Sequence, residues 1–560
     1  MISSTIEYEK ISSGNFNPDN EYLLNDIKEL RNRPNVISPS IDELKAMAEK
    51  YGTKTQFGNI NFVSSVKNRS AGLTVYSGSS RVAQKRLNQK QKEILEKLPK
   101  TMKLVHEYLK KAPLICVDRT MGDNQYFTPN CTFYVSYERP EMSRLAYMVS
   151  KTLFEPKKNN NPNLFLIHIP EWQEKDRQIL IFPEMGNASL TYVLGTDYYG
   201  EDKKGFLRMA MWHSKLRGML GLHAGSKIVR AKDKTGRIKT YNMLFFGLSA
   251  TGKTTHVCHD HNLDQEGENI EVVQDDVVFL RSDSSVLGTE RGFYLKTGYL
   301  EPKIQPMIYK AATSPDAIFE NVLIGHGGIA YFDDETLTGN GRGIMQRQDF
   351  GTQKARSINL KPANEVDGLI IIFITRRNTI TPLVSKLNLE QAAAAFMLGE
   401  SIESSAGDPT RAGESVREVG TNPFIIGDEA YEGNWFYHFL LQNKNKVHCY
   451  LLNTGGVGEI DEKKQEGHRI IKQEVVRPFI SGSAAIIRGI LRDTIEWENE
   501  PYFNTTMAKK VDGIDMKKFD LSNYYTEEQI DFYVRVLKIE RMSWMSQFQG
   551  LDERIVNFQK

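Results

Sequence analysis

The sequence predicts a mixed α/β protein with at least two domains, on the strength of three observations. The chain has 560 residues, more than one ordinary hydrophobic core organises. Strand and helix patterns alternate from about residue 225 onward, which is typical of α/β domains. One of these strands leads through a glycine-rich loop into a helix at 241–258. We place the domain boundary between residues 225 and 226, so that the expected domains are 1–225 and 226–560.

The composition is that of an ordinary globular protein and excludes several classes of partner. Hydrophobic residues make up 40% and charged residues 25% of the chain, and 72 basic residues nearly balance 70 acidic ones. This balance predicts neither nucleic acid nor an anionic membrane as a partner. The apolar run 369–374 is far shorter than the roughly 20 residues of a membrane helix. The N-terminus lacks a secretory pattern and there are only four cysteines, so we expect a cytoplasmic protein.

The first domain combines helical patterns with short strands. Helical spacing covers Ile41–Tyr51, and again 84–112, where we expect Pro99 to break the helix. Strand patterns follow at 131–137, 164–169 and 177–182, and a further helix is expected over 205–222.

The second domain is expected to contain strands at 241–246, 270–280, 366–375 and 447–452. The charged segment Asp461–Gln473 is expected to form a loop or a short surface helix. Segment 398–422, rich in Gly, Ser and Glu, is either a lid that closes over a site or a surface loop without a role.

The loop after the first of these strands has the Walker A pattern, Gly247-Leu-Ser-Ala-Thr-Gly-Lys-Thr254. Its glycines let backbone N–H groups turn toward phosphate oxygens, and the following helix adds a favourable dipole. Lys253 is expected to reach the β and γ phosphates of ATP, and the Thr254 hydroxyl to bind Mg²⁺. The predicted phosphate-binding residues are Gly247, Leu248, Ser249, Ala250, Thr251, Gly252, Lys253, Thr254 and Thr255.

Two adjacent carboxylates, Asp275 and Asp276, interrupt the apolar pattern about twenty residues after the loop. Two buried carboxylates in such a pattern would lower the stability of the fold unless a cation compensates their charge. Adjacent residues of a strand point to opposite faces, so we expect only one of them to bind a metal directly. Together with the loop they indicate a phosphate-binding NTPase or kinase, and they leave the acceptor open.

From about 190 to 490 the chain resembles, in order, the motifs of the ATP-dependent phosphoenolpyruvate carboxykinases. Segment 198–205 (YYGEDKKG) is similar to the family's WYGGEMKKG, and 222–226 (LHAGS) to its MHCSAN. The loop at 247–255 resembles GLSGTGKTT, and 289–296 (TERGFYLK) resembles FEGGCYAK. Three later segments, 332–342, 450–456 and 477–483, are similar to FDDGSKTENTR, YLVNTGW and RISIKDT. The resemblance implies a two-domain carboxykinase-like fold with a P-loop nucleotide domain.

The resemblance also implies a metal site and a carboxylate-binding site. Lys204, His223 and Asp276 would bind Mn²⁺, with Lys204 neutral as a ligand because the cation and burial lower its pKa. Arg69 would bind a substrate carboxylate, Tyr198 would contact that carboxylate or CO₂, and Arg342 would bind both the substrate and the γ-phosphate. Lys204, Lys253 and Arg342 would then carry the catalysis. On the nucleotide side the implied residues are Glu290, Lys296, Arg477, which would stack on adenine, and Ser483.

The resemblance implies a lyase that converts oxaloacetate and ATP to phosphoenolpyruvate, CO₂ and ADP, a gluconeogenic or anaplerotic step. The expected partners are these small molecules, and the expected state is a monomer or small homo-oligomer. The sequence departs from the family at Tyr199, at Ala250, after Asp276 and around Arg69, where GRSPKDK is not intact. Two alternatives therefore stay open: a kinase of the same fold with another small acceptor, and a nucleotide-binding relative without catalysis.

Overall fold

The structure is a computed structural model that describes residues 18–82, 84, 86–248, 251–298, 300–334, 340–353, 355–403, 414–463 and 469–558. The chain forms two compact units, neither of them continuous in sequence. The first unit runs to Gly221 and also includes Leu287–Thr352 and Phe424–Asp428. The second unit comprises Leu222–Val286, Gln353–Pro423 and Glu429–Lys560. The short strands Leu220–Leu222 and Val286–Gly288 lie where the chain passes from one unit to the other.

The first unit contains a mixed seven-stranded sheet and a five-stranded sheet. The strands of the larger sheet, in spatial order, are Val36–Ile37, Leu114–Thr120, Asn130–Ser136, Asn163–Ile169, Ala188–Leu194, Gln178–Phe182 and Thr74–Tyr76. The smaller sheet has the order Gly292–Lys296, Arg342–Gln346, Ile318–Glu320, Ile60–Phe62 and Thr53–Lys54. A two-stranded ladder joins Leu323–Ile324 to Ala330–Tyr331. The helices are Pro18–Glu29, Ile41–Glu49, Gln89–Leu109, Ser143–Thr152, Tyr199–Lys215 and Pro306–Ala312.

Helix Gln89–Leu109 passes through Pro99 without ending, so the predicted break at Pro99 is wrong. The Asn88 side chain accepts from the backbone of Gln91, and this capping box starts the helix. Met102 and Leu109 are buried in the core beyond the proline. Pro99 itself is exposed, so the carbonyl that loses its N–H partner faces water, and the packing of the later turns outweighs the cost.

The helix expected over 205–222 instead spans Tyr199–Lys215, and a strand occupies Leu220–Leu222. The polar start of this helix is buried, with Glu201 and Asp202 in its first turn, where acidic side chains favour the helix dipole. Asp202 Oδ1 lies 2.6 Å from the Nδ1 of His168 on the neighbouring strand. Periodicity missed the first two turns because these polar residues are inside the unit and paired there.

The second unit is built around an eight-stranded sheet. Its strands, in spatial order, are Asn269–Gln274, Ala224–Lys232, Ile238–Gly247, Gly368–Thr375, Val447–Asn453, Val384–Leu387, Thr506–Lys510 and Glu496–Asn499. A further short strand is Val278–Leu280, and the helices are Lys253–Cys258, Leu389–Leu398, Glu429–Gln442, Phe479–Arg492, Glu527–Met545 and Glu553–Val556. Three neighbouring strands, Ile238–Gly247, Gly368–Thr375 and Val447–Asn453, are parallel. Their carboxyl ends share one edge of the sheet, which is where ligands bind in open α/β sheets.

The prediction of a loop or short surface helix for Asp461–Gln473 is wrong for the described residues of that segment, and residues 464–468 lie outside them. Ile460–Lys463 and Arg469–Gln473 form an antiparallel ladder. The adjacent β-branched residues Ile470 and Ile471 favour a strand over a helix. Among the described residues, no helix is long and apolar enough to cross a membrane.

Candidate active site

The phosphate loop connects strand Ile238–Gly247 to the short helix Lys253–Cys258, as predicted. Gly252 has φ of +97°, a left-handed conformation that favours glycine, and Lys253 begins the helix directly after it. Ser249 and Ala250 lie outside the described residues. The loop therefore presents a helix N-terminus at the carboxyl edge of the parallel strands, the arrangement that binds phosphate.

A second motif supports the loop from the end of strand Val447–Asn453. Thr454, from the segment that resembles YLVNTGW, donates its hydroxyl to the backbone oxygen of Thr251 at 2.9 Å. The Thr251 hydroxyl in turn donates to Leu248 O at 2.8 Å. A Cβ on Gly247 would lie 2.4 Å from Thr251 Oγ1, so this glycine makes room for the loop's own hydrogen bond.

Asp275 and Asp276 lie in a bend between strands Asn269–Gln274 and Val278–Leu280, not within a strand as expected. Both are buried. Asp275 faces the loop, because the Thr254 hydroxyl donates to its Oδ2 at 3.3 Å. Asp276 faces His223, with Oδ1 3.1 Å from Nε2. The bend thus directs one carboxylate toward the predicted Mg²⁺ residue and the other toward a predicted Mn²⁺ residue.

Lys253, His223 and Asp276 form a compact polar group. Lys253 Nζ lies 3.1 Å from His223 Nε2 and 3.9 Å from Asp276 Oδ1. His223 Nδ1 lies 2.6 Å from the backbone oxygen of Thr421, which can only accept. That contact places a ring proton on Nδ1, so that in the neutral ring the Nε2 lone pair accepts from Lys253 Nζ and lies beside Asp276.

A nitrogen lone pair beside a carboxylate is a donor set that suits a transition metal such as Mn²⁺. No group of three or more His, Cys, Asp or Glu side chains with a metal-binding arrangement occurs in the described part of the chain. The structure brings His223 and Asp276 together, and these two residues and Lys204 stay predictions as Mn²⁺ ligands.

The two residues predicted beside the adenine lie at the start of helix Phe479–Arg492. Arg477 is exposed and precedes the helix. Its charge lowers the pKa of Arg376, although burial of Arg376 contributes more to that shift. Ser483 is buried, and its hydroxyl donates to the backbone oxygens of Phe479 at 3.0 Å and Ile480 at 3.2 Å. Their contact with a nucleotide base stays a prediction.

The residues predicted to contact the acceptor, Arg69, Tyr198 and Lys204, are called the acceptor side together with their neighbours in the first unit. Tyr198 is the N-cap residue of helix Tyr199–Lys215. Its hydroxyl receives a hydrogen bond of 3.3 Å from the Asn340 side chain. A Cβ on Gly200 would lie 2.4 Å from Tyr198 Cε1, so the tyrosine ring packs over the glycine that the sequence shares with the family. The position of this ring explains why residue 200 is a glycine, whereas position 199 has room for a tyrosine side chain.

Arg69 and Lys204 meet at one aromatic ring that the sequence did not indicate. Arg69 Cζ lies 4.8 Å and Lys204 Nζ 4.6 Å from the centroid of Phe424. Phe424 is 1% exposed and belongs to the short segment that joins the first unit from a distant part of the sequence. No periodicity or motif marks such a residue, since only the tertiary fold brings it to the helix.

The segment resembling FEGGCYAK contributes a buried ion pair and an exposed lysine. Glu290 Oε2 lies 2.8 Å from Lys203 Nζ, and both side chains are almost fully buried. Lys296 is exposed and lies directly opposite Arg342 in an antiparallel pair of adjacent strands. The Arg342 guanidinium lies 5.7 Å from the Tyr294 ring centroid. The nucleotide contacts of Glu290 and Lys296 stay predictions.

A buried network that sequence reasoning missed holds the Arg69 loop. Arg144 is ion-paired with Asp197 at 3.2 Å and with Glu320 at 3.1 Å. Asp197 accepts hydrogen bonds from the backbone N–H groups of Ser65, at 2.8 Å, and Val66, at 3.0 Å. Burial would raise the pKa of Asp197, but the Arg144 charge and these N–H groups lower it below its usual range. The carboxylate is therefore ionised and fixes the loop a few residues before Arg69.

The ends of the expected lid are anchored. Glu400–Ile402 pairs with Ser415–Arg417, and residues 404–413 lie outside the described residues. Glu400 is ion-paired with Arg377 at 3.1 Å and also with Arg541 of helix Glu527–Met545. These arginines overcome the effect of burial and lower the pKa of Glu400 well below its usual range. Lid closure stays a prediction, and it concerns the part between these two strands.

The described site defines a class: a nucleotide-binding α/β protein whose phosphate loop adjoins a histidine–carboxylate pair. The chain belongs to the phosphoenolpyruvate carboxykinase family, whose model matches residues 35–517. It is 30% identical over 441 residues to phosphoenolpyruvate carboxykinase (ATP) of Aeropyrum pernix, covering 78% of this chain and 80% of the relative. It is 27% identical over 368 residues to that of Rhodopseudomonas palustris, covering 64% and 62%. The corresponding values for Leptospira biflexa are 29% over 335 residues, covering 57% and 55%. These matches confirm the resemblance and the fold class that the motifs predicted.

Proposed function

We propose that this protein catalyses the ATP-dependent conversion of oxaloacetate to phosphoenolpyruvate, CO₂ and ADP. The observation that carries the proposal is the family match, which extends over residues 35–517 and so includes both sides of the site. The relatives from Aeropyrum pernix and Rhodopseudomonas palustris are named phosphoenolpyruvate carboxykinase (ATP). The phosphate loop and the His223–Asp276 pair support the same reaction chemically.

The phosphate loop would bind ATP and neutralise charge during transfer. Backbone N–H groups at the start of helix Lys253–Cys258 would contact phosphate oxygens, and Lys253 would reach the transferring group. The Thr254 hydroxyl and its partner Asp275 would hold Mg²⁺.

His223 and Asp276 would hold Mn²⁺ together with Lys204. Mn²⁺ supplies, when bound, Lewis-acid stabilisation of negative charge on oxygen. The Thr421 carbonyl maintains the His223 tautomer that has its lone pair on Nε2. Lys204 would act as a ligand only in its neutral form, so its pKa would have to be lowered.

The acceptor side would orient oxaloacetate for two successive bond changes. Arg69 and Tyr198 would bind the substrate, and the bond to the departing carboxylate would break, leaving its electron pair on the enolate. The enolate oxygen would then attack the γ-phosphorus while the bond to ADP breaks. Arg342 and Lys253 would neutralise the charge that spreads over the transferring group.

Two further parts of the proposal concern the cell. We place the reaction in the cytoplasm and in a gluconeogenic or anaplerotic step, in agreement with the composition and the family. Closure of the 398–422 segment would exclude water that otherwise protonates the enolate to pyruvate.

The deciding experiment incubates the purified protein with oxaloacetate, Mn²⁺, Mg²⁺ and one of ATP, GTP or pyrophosphate. We expect phosphoenolpyruvate to form, and to form fastest with ATP. Formation with GTP or pyrophosphate alone would contradict the nucleotide assignment. Absence of phosphoenolpyruvate under all three conditions, with ATP still bound, would overturn the reaction and favour another acceptor.

The His223→Ala variant tests the metal assignment. Removing one of the few protein ligands should raise the Mn²⁺ concentration for half-maximal rate by about 100-fold or more, since even outer-shell changes cost 10- to 100-fold. A titration of rate against Mn²⁺ at saturating Mg²⁺ measures this, and His438→Ala, remote from the predicted ligands in sequence, serves as the control. A titration unchanged from wild type would remove His223 from the metal site.

A further inference from the structure

A third cation lies against the Phe424 ring beside the two that the sequence predicted. Arg208 Cζ is 5.4 Å from the ring centroid, compared with 4.8 Å for Arg69 and 4.6 Å for Lys204. Arg208 follows Lys204 by four residues on helix Tyr199–Lys215, so the two side chains project from one helix face. As long as no metal is bound to Lys204, two guanidinium groups and one ammonium group around this phenyl ring concentrate positive charge at this part of the acceptor side.

Arg208 is the most deeply buried of the three. It is 2% exposed, whereas Arg69 and Lys204 are only partly buried. Its Nε and Nη1 atoms are buried and have no hydrogen-bond partner within the described residues. The contact with Phe424 is an interaction with the face of a ring and leaves these N–H groups unsatisfied.

Other buried cations of the same helix are paired, which makes Arg208 an exception. Lys203 is ion-paired with Glu290 at 2.8 Å. Lys215 Nζ donates to the backbone oxygens of Ile426 and Asp428, both at 3.1 Å. The positive charges of these two lysines are therefore compensated by an acidic side chain and by backbone oxygens.

The nearby acidic residues of the helix are directed to other groups. Glu201 accepts the backbone N–H of Ser70, and Asp202 is paired with His168. No ion pair joins either carboxylate to Arg208 in the part of the chain that the structure describes. A buried guanidinium costs several kcal/mol unless an anion compensates it, and a ring face recovers only about 2 kcal/mol. The missing anion is therefore expected to come from a ligand.

We propose that Arg208 binds a carboxylate of the acceptor, namely the carboxylate that is retained in the product. This inference rests on the proposed function. A guanidinium has a planar set of N–H groups that matches a carboxylate, and the Nε and Nη1 groups of Arg208 are the ones that lack a partner within the described residues. A cation bound to the departing carboxylate would stabilise charge that must disappear as CO₂ forms, and so would slow the reaction.

The three basic side chains differ in how deeply they are buried. Arg208 lies at the buried end and holds the retained carboxylate, while the partly buried Arg69 and Lys204 keep the substrate-binding and metal-binding roles proposed above. Phe424 provides an apolar wall that keeps water from these charges and strengthens their attraction for an anion. Because the retained carboxylate is present in both substrate and product, Arg208 contributes equally to binding each of them.

The test measures KM for oxaloacetate with ATP and KM for phosphoenolpyruvate with ADP and bicarbonate, using Arg208→Met and Arg208→Lys. We expect Arg208→Met to raise both KM values by about 10- to 100-fold, the loss of hydrogen bonds to a charged group. The kcat should stay within about threefold of wild type, because equal binding of ground and transition states is lost. KM for ATP should not change. Arg208→Lys, which keeps the charge without the planar set of N–H groups, should lie between wild type and Arg208→Met.

Arg217→Met is the matched control, because Arg217 also lies against a ring, 5.5 Å from the Phe127 centroid, but hydrogen-bonds to His213 O. It should leave both carboxylate KM values unchanged. A purely structural role for Arg208 would instead lower the melting temperature and kcat without affecting KM. Wild-type KM values in a folded Arg208→Met, or in Arg208→Lys if the first variant does not fold, would overturn the proposal. A rise confined to oxaloacetate would also overturn it, since the departing carboxylate would then be the ligand.

Failure of the proposed function is recognised separately, because wild-type protein would then form no phosphoenolpyruvate. In that case, calorimetric titration of wild type and Arg208→Met with phosphoenolpyruvate tests whether Arg208 binds the carboxylate. Binding that weakens about 10- to 100-fold in the variant supports the proposal. Equal binding, or none to wild type, overturns it.

Discussion

The phosphate loop and the acceptor side achieve fixed geometry in different ways. The loop is nine consecutive residues, Gly247–Thr255, supported by a hydrogen bond from Thr454. The Arg69 loop depends on Arg144, which reaches Asp197 and Glu320 at sequence separations of 53 and 176 residues. The first site uses backbone N–H groups and glycine conformations, which a short motif encodes. The second uses buried charges that only the complete fold brings together.

This difference explains what the sequence could and could not predict. The parallel strands, the loop, Lys253 and the pairing of His223 with Asp276 follow from local patterns and a family register. Phe424 and Arg208 were missed, since no spacing rule connects a residue after an irregular segment with a helix 216 residues earlier. The helix start at Tyr199 was missed for a related reason: its polar side chains are buried in pairs, so they do not show the expected periodicity.

The largest expected effect tests the local side of the comparison. Lys253→Ala should lower kcat by about 1,000-fold or more, because the charge that neutralises the transferring phosphoryl group is lost. Single-turnover formation of phosphoenolpyruvate measures this. The control is Lys234→Ala, which removes an exposed lysine of the same unit from its pair with Asp493 at 2.8 Å. A Lys253→Ala variant with wild-type kcat would contradict the assignment of the loop.

The second effect tests the long-range side. Arg144→Met should lower the free energy of unfolding by about 3–5 kcal/mol, because Asp197 and Glu320 are then buried without their cation. Burial already raises the pKa of Glu320 above its usual range even with Arg144 present. Urea unfolding of both proteins measures the change.

Lys45→Met is the control for Arg144, since Lys45 belongs to an exposed pair with Glu49 at 3.7 Å. An exposed pair of this kind contributes at most about 0.5 kcal/mol. If Arg144→Met were no more destabilising than this control, the Arg69 loop would not depend on the buried network.

A third prediction concerns a lysine beneath the phosphate-loop helix. Lys227 is fully buried, and its Nζ donates to the backbone oxygens of His256 at 2.7 Å and His259 at 3.0 Å. Nζ also contacts the ring of His261. Burial lowers the pKa of Lys227 to about 7. A neutral amine fits these partners, with two N–H groups for two carbonyls and a lone pair toward the imidazole.

Because the folded pKa lies below the unfolded value, the unfolded chain binds one more proton between the two. Stability should therefore rise with pH from about 7 to about 10, by up to about 1.4 kcal/mol per pH unit from this group. Lys227→Met should remove that contribution to the slope of unfolding free energy against pH. Equal slopes for variant and wild type would show that Lys227 has an ordinary pKa.

The smallest effect tests whether the loop motif is sufficient on its own. Thr454→Val removes the hydrogen bond to Thr251 O without a large change of volume. A single hydrogen bond of this kind contributes about 1 kcal/mol, so ATP affinity should fall about fivefold if the bond holds the loop in its binding conformation. Calorimetric titration with ATP measures the change, and Thr454→Ser, which keeps the hydroxyl, should bind as wild type does. Unchanged affinity in Thr454→Val would mean that Gly247–Thr255 fixes its own conformation, which would sharpen the contrast with the Arg69 loop. A loss of ATP binding free energy of about 3–5 kcal/mol, as large as the loss of unfolding free energy expected for Arg144→Met, would remove the contrast. The loop and the acceptor side would then both depend on distant residues.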